Sequence, residues 1–174
     1  AFNMLENIII KKEFSQPSLI LDELNAQVLN ILHQQTENAS AKYGMDMALI
    51  EIDKKSLKLE YAGANNPLLV VRAGEKISPF KGGVRQERTG EVLEIKADKT
   101  TIGMARDKFT NHTLTLQKSD MVYLFTDGFP DQKGGPDGKK FFASTFKDLL
   151  VSISQKETAQ QKEVLENTFE NWKG

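Results

Sequence analysis

The stretch over residues 120–142 constrains the fold of this chain more than any other part of the sequence. Residues 121–125 form an unbroken apolar, β-prone run, which is long enough for a strand that is buried on both faces. The run ends abruptly in Thr126, Asp127 and Gly128. An acid that ends a buried strand and precedes glycine is typical of a carboxylate held at the rim of a sheet. Glycine leaves room there for a ligand or for the water shell of a metal ion.

Asp131 adds a second carboxylate four residues later, and two explanations of this acidic loop remain open. Carboxylates gathered on one loop suit hard divalent cations such as Mg²⁺, Mn²⁺ and Ca²⁺, which prefer oxygen ligands. The Asp-Gly and Gly-Pro-Asp-Gly sequences are equally typical of ordinary turns. A calcium-binding loop with alternating acids is excluded, because Asp127, Asp131 and Asp137 are spaced too widely.

The composition bounds the class of protein. The chain has 174 residues, no cysteine and a formal net charge of −1. This length predicts a single domain over residues 1–174 with a substantial core. The near-neutral charge gives no support for nucleic-acid binding, which normally requires a basic face. The lack of cysteine excludes disulfides, zinc–thiolate sites and thiol nucleophiles, and it fits a reducing, cytoplasmic location.

The termini and the hydropathy pattern give no sign of membrane contact. No apolar run approaches the ~20 residues that a membrane-spanning helix needs. The first residues are not a signal peptide, because no basic region precedes an apolar core. Their spacing is that of the middle of a helix, which predicts that the chain begins inside a longer protein.

The periodicity of apolar residues predicts an α+β fold. Helical spacing covers residues 1–11 and the segment after 15–18, and it returns after residue 142 in two further helices. Between them the period changes to two, and residues 81–90 form a charged loop. The predicted strands are 45–52, 57–61, 68–72, 76–80, 91–95, 109–116 and 121–125. Such segregation indicates helices packed on the faces of antiparallel sheets and argues against a doubly wound βαβ fold.

Five short motifs follow one another along the chain. They are Gly-Met-Asp-Met-Ala-Leu at 44–49, Leu-Glu-Tyr-Ala-Gly-Ala-Asn-Asn-Pro-Leu at 59–68, Thr-Ile-Gly at 101–103, Leu-Phe-Thr-Asp-Gly at 124–128 and Gly-Gly-Pro-Asp-Gly-Lys-Lys-Phe at 134–141. Together they resemble the SpoIIE-type bacterial branch of the metal-dependent serine/threonine protein phosphatases of the 2C type, over essentially all of residues 1–174.

The resemblance implies a fold and a chemistry. The fold is an α-β-β-α sandwich of two antiparallel sheets flanked by helices. Two or more Mn²⁺ or Mg²⁺ ions lie at one edge between the sheets, held by aspartates, and activate a water that attacks phosphoserine or phosphothreonine. This chemistry needs no catalytic side chain beyond the metal-activated water, in agreement with the missing cysteine and the lack of a triad.

The resemblance also assigns roles to individual residues. Its metal-binding Asp-Gly corresponds to Asp127 and Gly128. Relatives often carry a further acid at the positions of Asp131 and Asp46, which are predicted to support the site or to hold an accessory metal. The glycine corner containing Gly63 and Asn65 forms the edge of the site. Here Ala64 stands where many relatives have histidine, so the role of that histidine is lost or reassigned.

The sequence departs from the family pattern at both ends. The opening Gly-Asp and Asp-x-x-Gly-His-Gly elements and the final Asp-Asp strand, which supply other metal ligands, are absent. The chain is therefore predicted to be a truncated domain that is inactive or nearly so. Its shortened sheets would expose strand edges, which predicts a homodimer through those edges.

For the parent protein, the resemblance implies a phosphatase that acts on a phosphorylated regulator of the anti-anti-sigma type. Upstream sensor domains, sometimes anchored in a membrane, would control it. The main alternative is a non-catalytic, phosphatase-like module that binds or senses a partner. A calcium- or polyanion-binding α+β domain is a weaker alternative, because the net charge is near zero and the acids are poorly spaced.

Overall fold

The computed structural model of the protein describes residues 5–9, 15–35, 44–72, 76–77, 80–81, 84–85, 88–89 and 91–173. The helices are α1 (residues 5–9), α2 (Pro17–Gln35), α3 (Ala143–Ile153) and α4 (Thr158–Lys173). The strands are β1 (Met47–Asp53), β2 (Lys58–Ala64), β3 (Leu68–Val71), β4 (Lys76–Ile77), β5 (Phe80–Lys81), β6 (Val84–Arg85), β7 (Arg88–Thr89), β8 (Val92–Ile95), β9 (His112–Thr115), β10 (Met121–Leu124), β11 (Lys133–Gly134) and β12 (Lys139–Lys140).

The chain divides into two compact units, and it passes from one to the other more than once. Unit 1 comprises Ala1–Leu68 and Glu94–Gln117, and unit 2 comprises Leu69–Leu93 and Lys118–Gly174. Among the described helices of both units, none has the length and apolarity that crossing a membrane requires.

Unit 1 is built on an antiparallel sheet of order β1-β2-β9. The β1–β2 hairpin runs in register from the pair Met47 and Ala64 to the pair Asp53 and Lys58. Because β2 lies between two strands, most of its residues are buried, and α2 packs against it. The core of this unit is formed by Ile8, Ile20, Leu21, Leu24, Ala62, Ala64, Ile102, Ala105 and Phe109.

Polar side chains of α2 hold the loop before β9 in place. The buried Asn25 donates from Nδ2 to the carbonyl of Ala105 (3.0 Å) and accepts the backbone N–H of Gly103 on Oδ1 (2.8 Å). Asp22 accepts the backbone N–H of Phe109 at 2.8 Å. These bonds satisfy backbone groups that would otherwise be buried without partners, so the loop has a defined path.

A second sheet has the order β10-β3-β8. Its central strand β3 is buried at all four residues, whereas β10 is half-buried and ends in the exposed Leu124. The prediction that residues 121–125 form a strand buried on both faces was therefore wrong. Within the described sheet, β10 has a strand neighbour on one side, and the fully buried position belongs to β3.

Helices α3 and α4 complete the core of unit 2. The amphipathic stripe predicted after residue 142 supplies much of this core, because its apolar residues pack with those of β3 and β10. The buried residues are Leu69, Val71, Phe141, Phe146, Leu150 and Val151, and Met121, Tyr123, Phe125, Phe129, Leu149, Leu165 and Trp172 pack against them.

Two predictions about loops need correction. The segment 81–90 was predicted to be a solvated loop, but it contains short strands, with β4 pairing to β7 and β5 to β6. The acidic loop contains the hairpin β11–β12, which the sequence pattern did not indicate. Gly135 (φ 65°) and Gly138 (φ 62°) adopt backbone conformations that favour glycine, which permits the tight connection between these strands. The α+β prediction with antiparallel sheets is confirmed.

Candidate functional site

Asp127 lies in an exposed turn just beyond the end of β10. Its carbonyl accepts the backbone N–H of Asp131 at 2.7 Å, and the carbonyl of Phe129 accepts that of Gln132 at 3.2 Å. No described side chain forms a hydrogen bond or an ion pair with its carboxylate. The turn thus fixes the backbone of Asp127 and leaves its carboxylate oxygens available.

An aromatic cluster packs this turn against the core of unit 2. The ring of Phe129 lies 5.1 Å from Phe141, 4.7 Å from Phe146 and 5.2 Å from Phe169, measured between centroids. Aromatic pairs at these separations add to the stabilisation from apolar burial. The next residue, Pro130, is buried, and its carbonyl accepts the backbone N–H of Phe142 at 2.9 Å. Asp127 is therefore presented from a rigid platform although the side chain itself is exposed.

Gly128 leaves open space beside Asp127. Its φ is not in the left-handed region, so the turn itself does not require glycine. A Cβ at this position would have only Thr126 Oγ1 within 4 Å among described atoms, at an ordinary contact distance of 3.6 Å. The space expected next to the carboxylate agrees with this geometry.

Asp131 is engaged by a cation of the protein itself. Lys140 donates from Nζ to its Oδ2 at 2.8 Å, and both side chains are about half exposed (47% and 50%). This pair connects the turn to β12. Lys140 occupies one of the two carboxylate oxygens, Oδ2, and the accessory role of Asp131 stays a prediction.

In unit 1, the structure brings Asp46 and Asn65 together. Asn65 donates from Nδ2 to Oδ1 of the exposed Asp46 at 2.8 Å. Asn65 has a φ of 59°, a conformation that asparagine tolerates better than most residues. Its backbone N–H bonds to the carbonyl of Asp98 at 3.0 Å, and the N–H of Asp98 bonds to the carbonyl of Gly63 at 3.0 Å. The corner and Asp98 therefore hold each other in place.

Gly63 is required by the packing of this corner. The buried Tyr61 donates its hydroxyl to the carbonyl of Asn66 at 2.7 Å. A Cβ at Gly63 would lie 2.1 Å from the Tyr61 oxygen and 2.6 Å from the Asn66 carbonyl oxygen, so it would break this bond. Burial raises the pKa of Tyr61 to about 12, which keeps the phenol protonated as a donor at physiological pH.

Gly63→Ala is expected to lower the free energy of unfolding by about 2–3 kcal/mol, because the added methyl group overpacks the corner. Tyr61→Phe is expected to cost ~1–3 kcal/mol, since it leaves the Asn66 carbonyl without its donor. Urea unfolding followed by circular dichroism measures both. Gly128→Ala is the control, where the Cβ fits and the change should stay within about 0.5 kcal/mol. An equally small change for Gly63→Ala would contradict the packing described here.

The described side chains provide some, but not all, of the oxygen ligands that a divalent cation site requires. The described residues contain no group of three or more histidine, aspartate or glutamate side chains that could hold a metal ion. Asp46, Gly63 and Asn65 belong to unit 1, and Asp127, Gly128 and Asp131 belong to unit 2. The available carboxylate of Asp127 suits one position in an oxygen ligand set for Mn²⁺ or Mg²⁺. The carboxylates of Asp46 and Asp131 already accept hydrogen bonds from neighbours.

The comparisons with known proteins decide the family. The sequence matches the family model described as Stage II sporulation protein E (SpoIIE) over residues 1–173. The chain belongs to the SpoIIE family. The resemblance to this family predicted from the five motifs is thereby confirmed.

A solved structure supports the fold of this SpoIIE-family chain. The chain is similar to the solved SiaA-PP2C domain of Pseudomonas aeruginosa, with a TM-score of 0.79 and 24% sequence identity. The match covers 99% of this chain and 60% of that chain, so this chain spans less than two thirds of the length of the solved one. This likeness shows the PP2C fold, as predicted. No curated protein sequence matches the chain.

Sequence reasoning missed several residues that shape this SpoIIE-family site. It did not foresee the Lys140 partner of Asp131, the aromatic contacts of Phe129 or the bonds between Asp98 and the glycine corner. The phenylalanines gave a weak signal, because Phe129 and Phe141 flank the acidic loop on both sides. Nothing in the local pattern around Asp98 distinguishes it from an ordinary turn residue.

Proposed function

We propose that this chain is part of a protein phosphatase that hydrolyses phosphoserine or phosphothreonine with Mn²⁺ or Mg²⁺. The observation that supports the proposal most is the available Asp127 carboxylate on its anchored turn, in a chain of the SpoIIE family. By the family resemblance, the substrate would be a phosphorylated regulatory protein of the anti-anti-sigma type in the cytoplasm, with sensor domains elsewhere in the parent protein.

The residues of this chain contribute to the reaction by position and charge. Bound divalent ions supply Lewis-acid activation of water and neutralise charge on the phosphoryl oxygens. Asp127 would hold such an ion through its carboxylate, and Gly128 would leave room for the water shell beside it. Asp131 would support the site through its pair with Lys140 or hold an accessory ion. Asn65 would keep the Asp46 carboxylate oriented through their hydrogen bond.

The test is a phosphatase assay of the full-length protein with phosphoserine and phosphothreonine peptides in Mn²⁺. We expect turnover that is lost in EDTA and restored by excess Mn²⁺. The 174-residue chain alone is expected to be inactive or nearly so, because Asp127 is its one carboxylate that clearly matches a metal ligand of the family. Metal-dependent hydrolysis by this chain, abolished by Asp127→Ala, would contradict that expectation.

A non-catalytic module is the second candidate. The observation that favours it is Ala64, which stands at the site-edge corner where many relatives of this type have histidine. Under this alternative, the full-length protein binds phosphorylated peptides but releases no phosphate at any concentration of Mn²⁺. The same assay, combined with a binding measurement, therefore separates the two candidates.

We propose in addition that exposed sheet edges allow two copies to associate. In the described part of unit 1, β1 and β9 each have a strand neighbour on one side only, which is an arrangement that invites pairing with another chain. Light scattering coupled to gel filtration tests this proposal. A monomeric mass at all concentrations would reject it.

A further inference from the structure

A polar pocket in unit 1 lies outside the residues to which a metal role was assigned. It has a volume of about 200 Å³ and is lined by Asp98, Lys99, Thr100, Arg106, Asp107 and Lys108. The three cationic side chains are exposed, and none of them forms a hydrogen bond or ion pair with any described residue. Three cationic side chains therefore line the pocket, and their charges are not paired with any described acidic side chain.

The two carboxylates of the pocket do not balance these cations. The carboxylate of Asp98 accepts two hydrogen bonds from Thr110, one from its backbone N–H at 2.8 Å and one from its hydroxyl at 2.9 Å. Both carboxylate oxygens of Asp98 are therefore hydrogen-bonded within the loop. Asp107 is then the remaining uncommitted acid among the described lining residues. The pocket therefore has a surplus of positive charge and favours an anionic ligand.

The backbone that carries the cations is fixed on both sides of the pocket. On one side, Asp98 bonds through its backbone to Gly63 and Asn65, and Asn65 in turn holds Asp46. On the other side, the hydrogen bonds of α2 to Ala105 and Phe109 hold the loop that contains residues 106–108. The backbone that carries the three cations is therefore held in place beside the glycine corner. This lowers the entropic cost of ordering their side chains around a ligand.

We propose that this cationic pocket binds acidic side chains of the substrate protein that flank its phosphorylated residue. The proposal rests on the proposed phosphatase function and names a feature of its substrate. Arg106 can bind a carboxylate through two parallel hydrogen bonds, and Lys99 and Lys108 add charge. Exposed charges of this kind select partners and accelerate association more than they add affinity, so the preference depends on ionic strength.

The experiment measures binding of two fluorescent phosphoserine peptides to the full-length protein by anisotropy, in low and in physiological salt. One peptide has acidic flanks and the other has neutral flanks. At low salt we expect the wild-type protein to bind the acidic peptide about tenfold more tightly. Each single variant, Lys99→Ala, Arg106→Ala or Lys108→Ala, should reduce this ratio about twofold, and the triple variant should bring it to about one.

Lys54→Ala is the matched control. Lys54 is an exposed lysine in the turn between β1 and β2, at the opposite end of the hairpin from Gly63 and Asn65. This variant should keep the wild-type ratio. Arg106→Glu is a second test variant, measured with a third phosphoserine peptide that has basic flanks. Because the charge at this position is reversed, the variant should bind this peptide more tightly than the wild-type protein does. Circular dichroism confirms that each variant is folded.

The outcomes separate this inference from the proposed function. A wild-type protein without preference for the acidic peptide, or a triple variant that keeps the preference, would overturn the pocket proposal. Hydrolysis of p-nitrophenyl phosphate by the wild-type protein in Mn²⁺ tests the phosphatase activity separately, because this ester has no flanking residues. Loss of the acidic preference in the triple variant, without any hydrolysis by the wild type, would support the pocket and reject the enzyme.

Discussion

Asp127→Asn in the full-length protein is expected to lower kcat/KM for a phosphoserine peptide by at least about 100-fold, because under the proposed function Asp127 holds a metal ion and the substitution removes the charge of that ligand. The substitution keeps the shape of the side chain and removes its charge. Asp127 is exposed and has no described side-chain partner, so the free energy of unfolding should change by no more than about 0.5 kcal/mol. The measurement is steady-state phosphate release in saturating Mn²⁺.

Asp137→Asn is the matched control for this variant. Asp137 is another exposed aspartate of the same acidic loop, and its carboxylate pairs with Lys139 at 3.0 Å. An exposed ion pair of this kind contributes little to stability. We expect wild-type turnover for Asp137→Asn. Equal losses for both variants would mean that the loop acts through its overall charge. No loss for Asp127→Asn would mean that Asp127 has no role in the reaction.

Gly134→Ala is expected to destabilise the protein by about 3 kcal/mol or more, because the added Cβ would collide with the backbone of α4. The Cβ would lie 1.6 Å from the carbonyl oxygen of Trp172 and 2.5 Å from its carbonyl carbon. Backbone atoms cannot rotate away as a side chain can. The same carbonyl accepts the N–H of Gly135 at 2.7 Å, and the indole N–H of Trp172 bonds to the carbonyl of Gln132 at 3.0 Å. The substitution would separate α4 from the β11–β12 hairpin.

Guanidinium unfolding followed by the fluorescence of Trp172, the single tryptophan of the chain, measures this effect. Gly138→Ala is the control within the same hairpin. Gly138 has a φ of 62° and no described atom within 4 Å of the position of a Cβ. Its replacement should cost only ~1–2 kcal/mol of backbone strain. Similar losses for the two variants would show that the close approach of α4 to Gly134 is not what the fold depends on.

The parts of the fold that depend on local pattern could be predicted from the sequence. The alternation in residues 45–61 predicted two strands, which are present as β1 and β2 with boundaries shifted by a few residues. The central position of β3 could not be predicted, because β8 and β10 are distant from it in the chain. Such pairing is decided by tertiary packing and leaves no periodic signal in any one segment.

In the candidate site too, features set by the local sequence could be predicted, whereas contacts between distant residues could not. The acid–glycine turn after the apolar run predicted a carboxylate where a strand ends, and Asp127 lies in the turn that follows β10. The partners of the other acids could not be foreseen, since Lys140 is nine residues from Asp131 and Asn65 is 19 residues from Asp46. Whether an aspartate is available to a metal or is already engaged depends on such contacts, which form only after the strands have paired.

The most direct test of the central claim is the binding of Mn²⁺ to the full-length protein, measured by titration calorimetry for the wild type and for Asp127→Asn. If the Asp127 carboxylate is a metal ligand of a phosphatase centre, the variant should lose a Mn²⁺ site or bind it at least about tenfold more weakly. Unchanged stoichiometry and affinity in the variant, or no Mn²⁺ binding by the wild type, would contradict the claim.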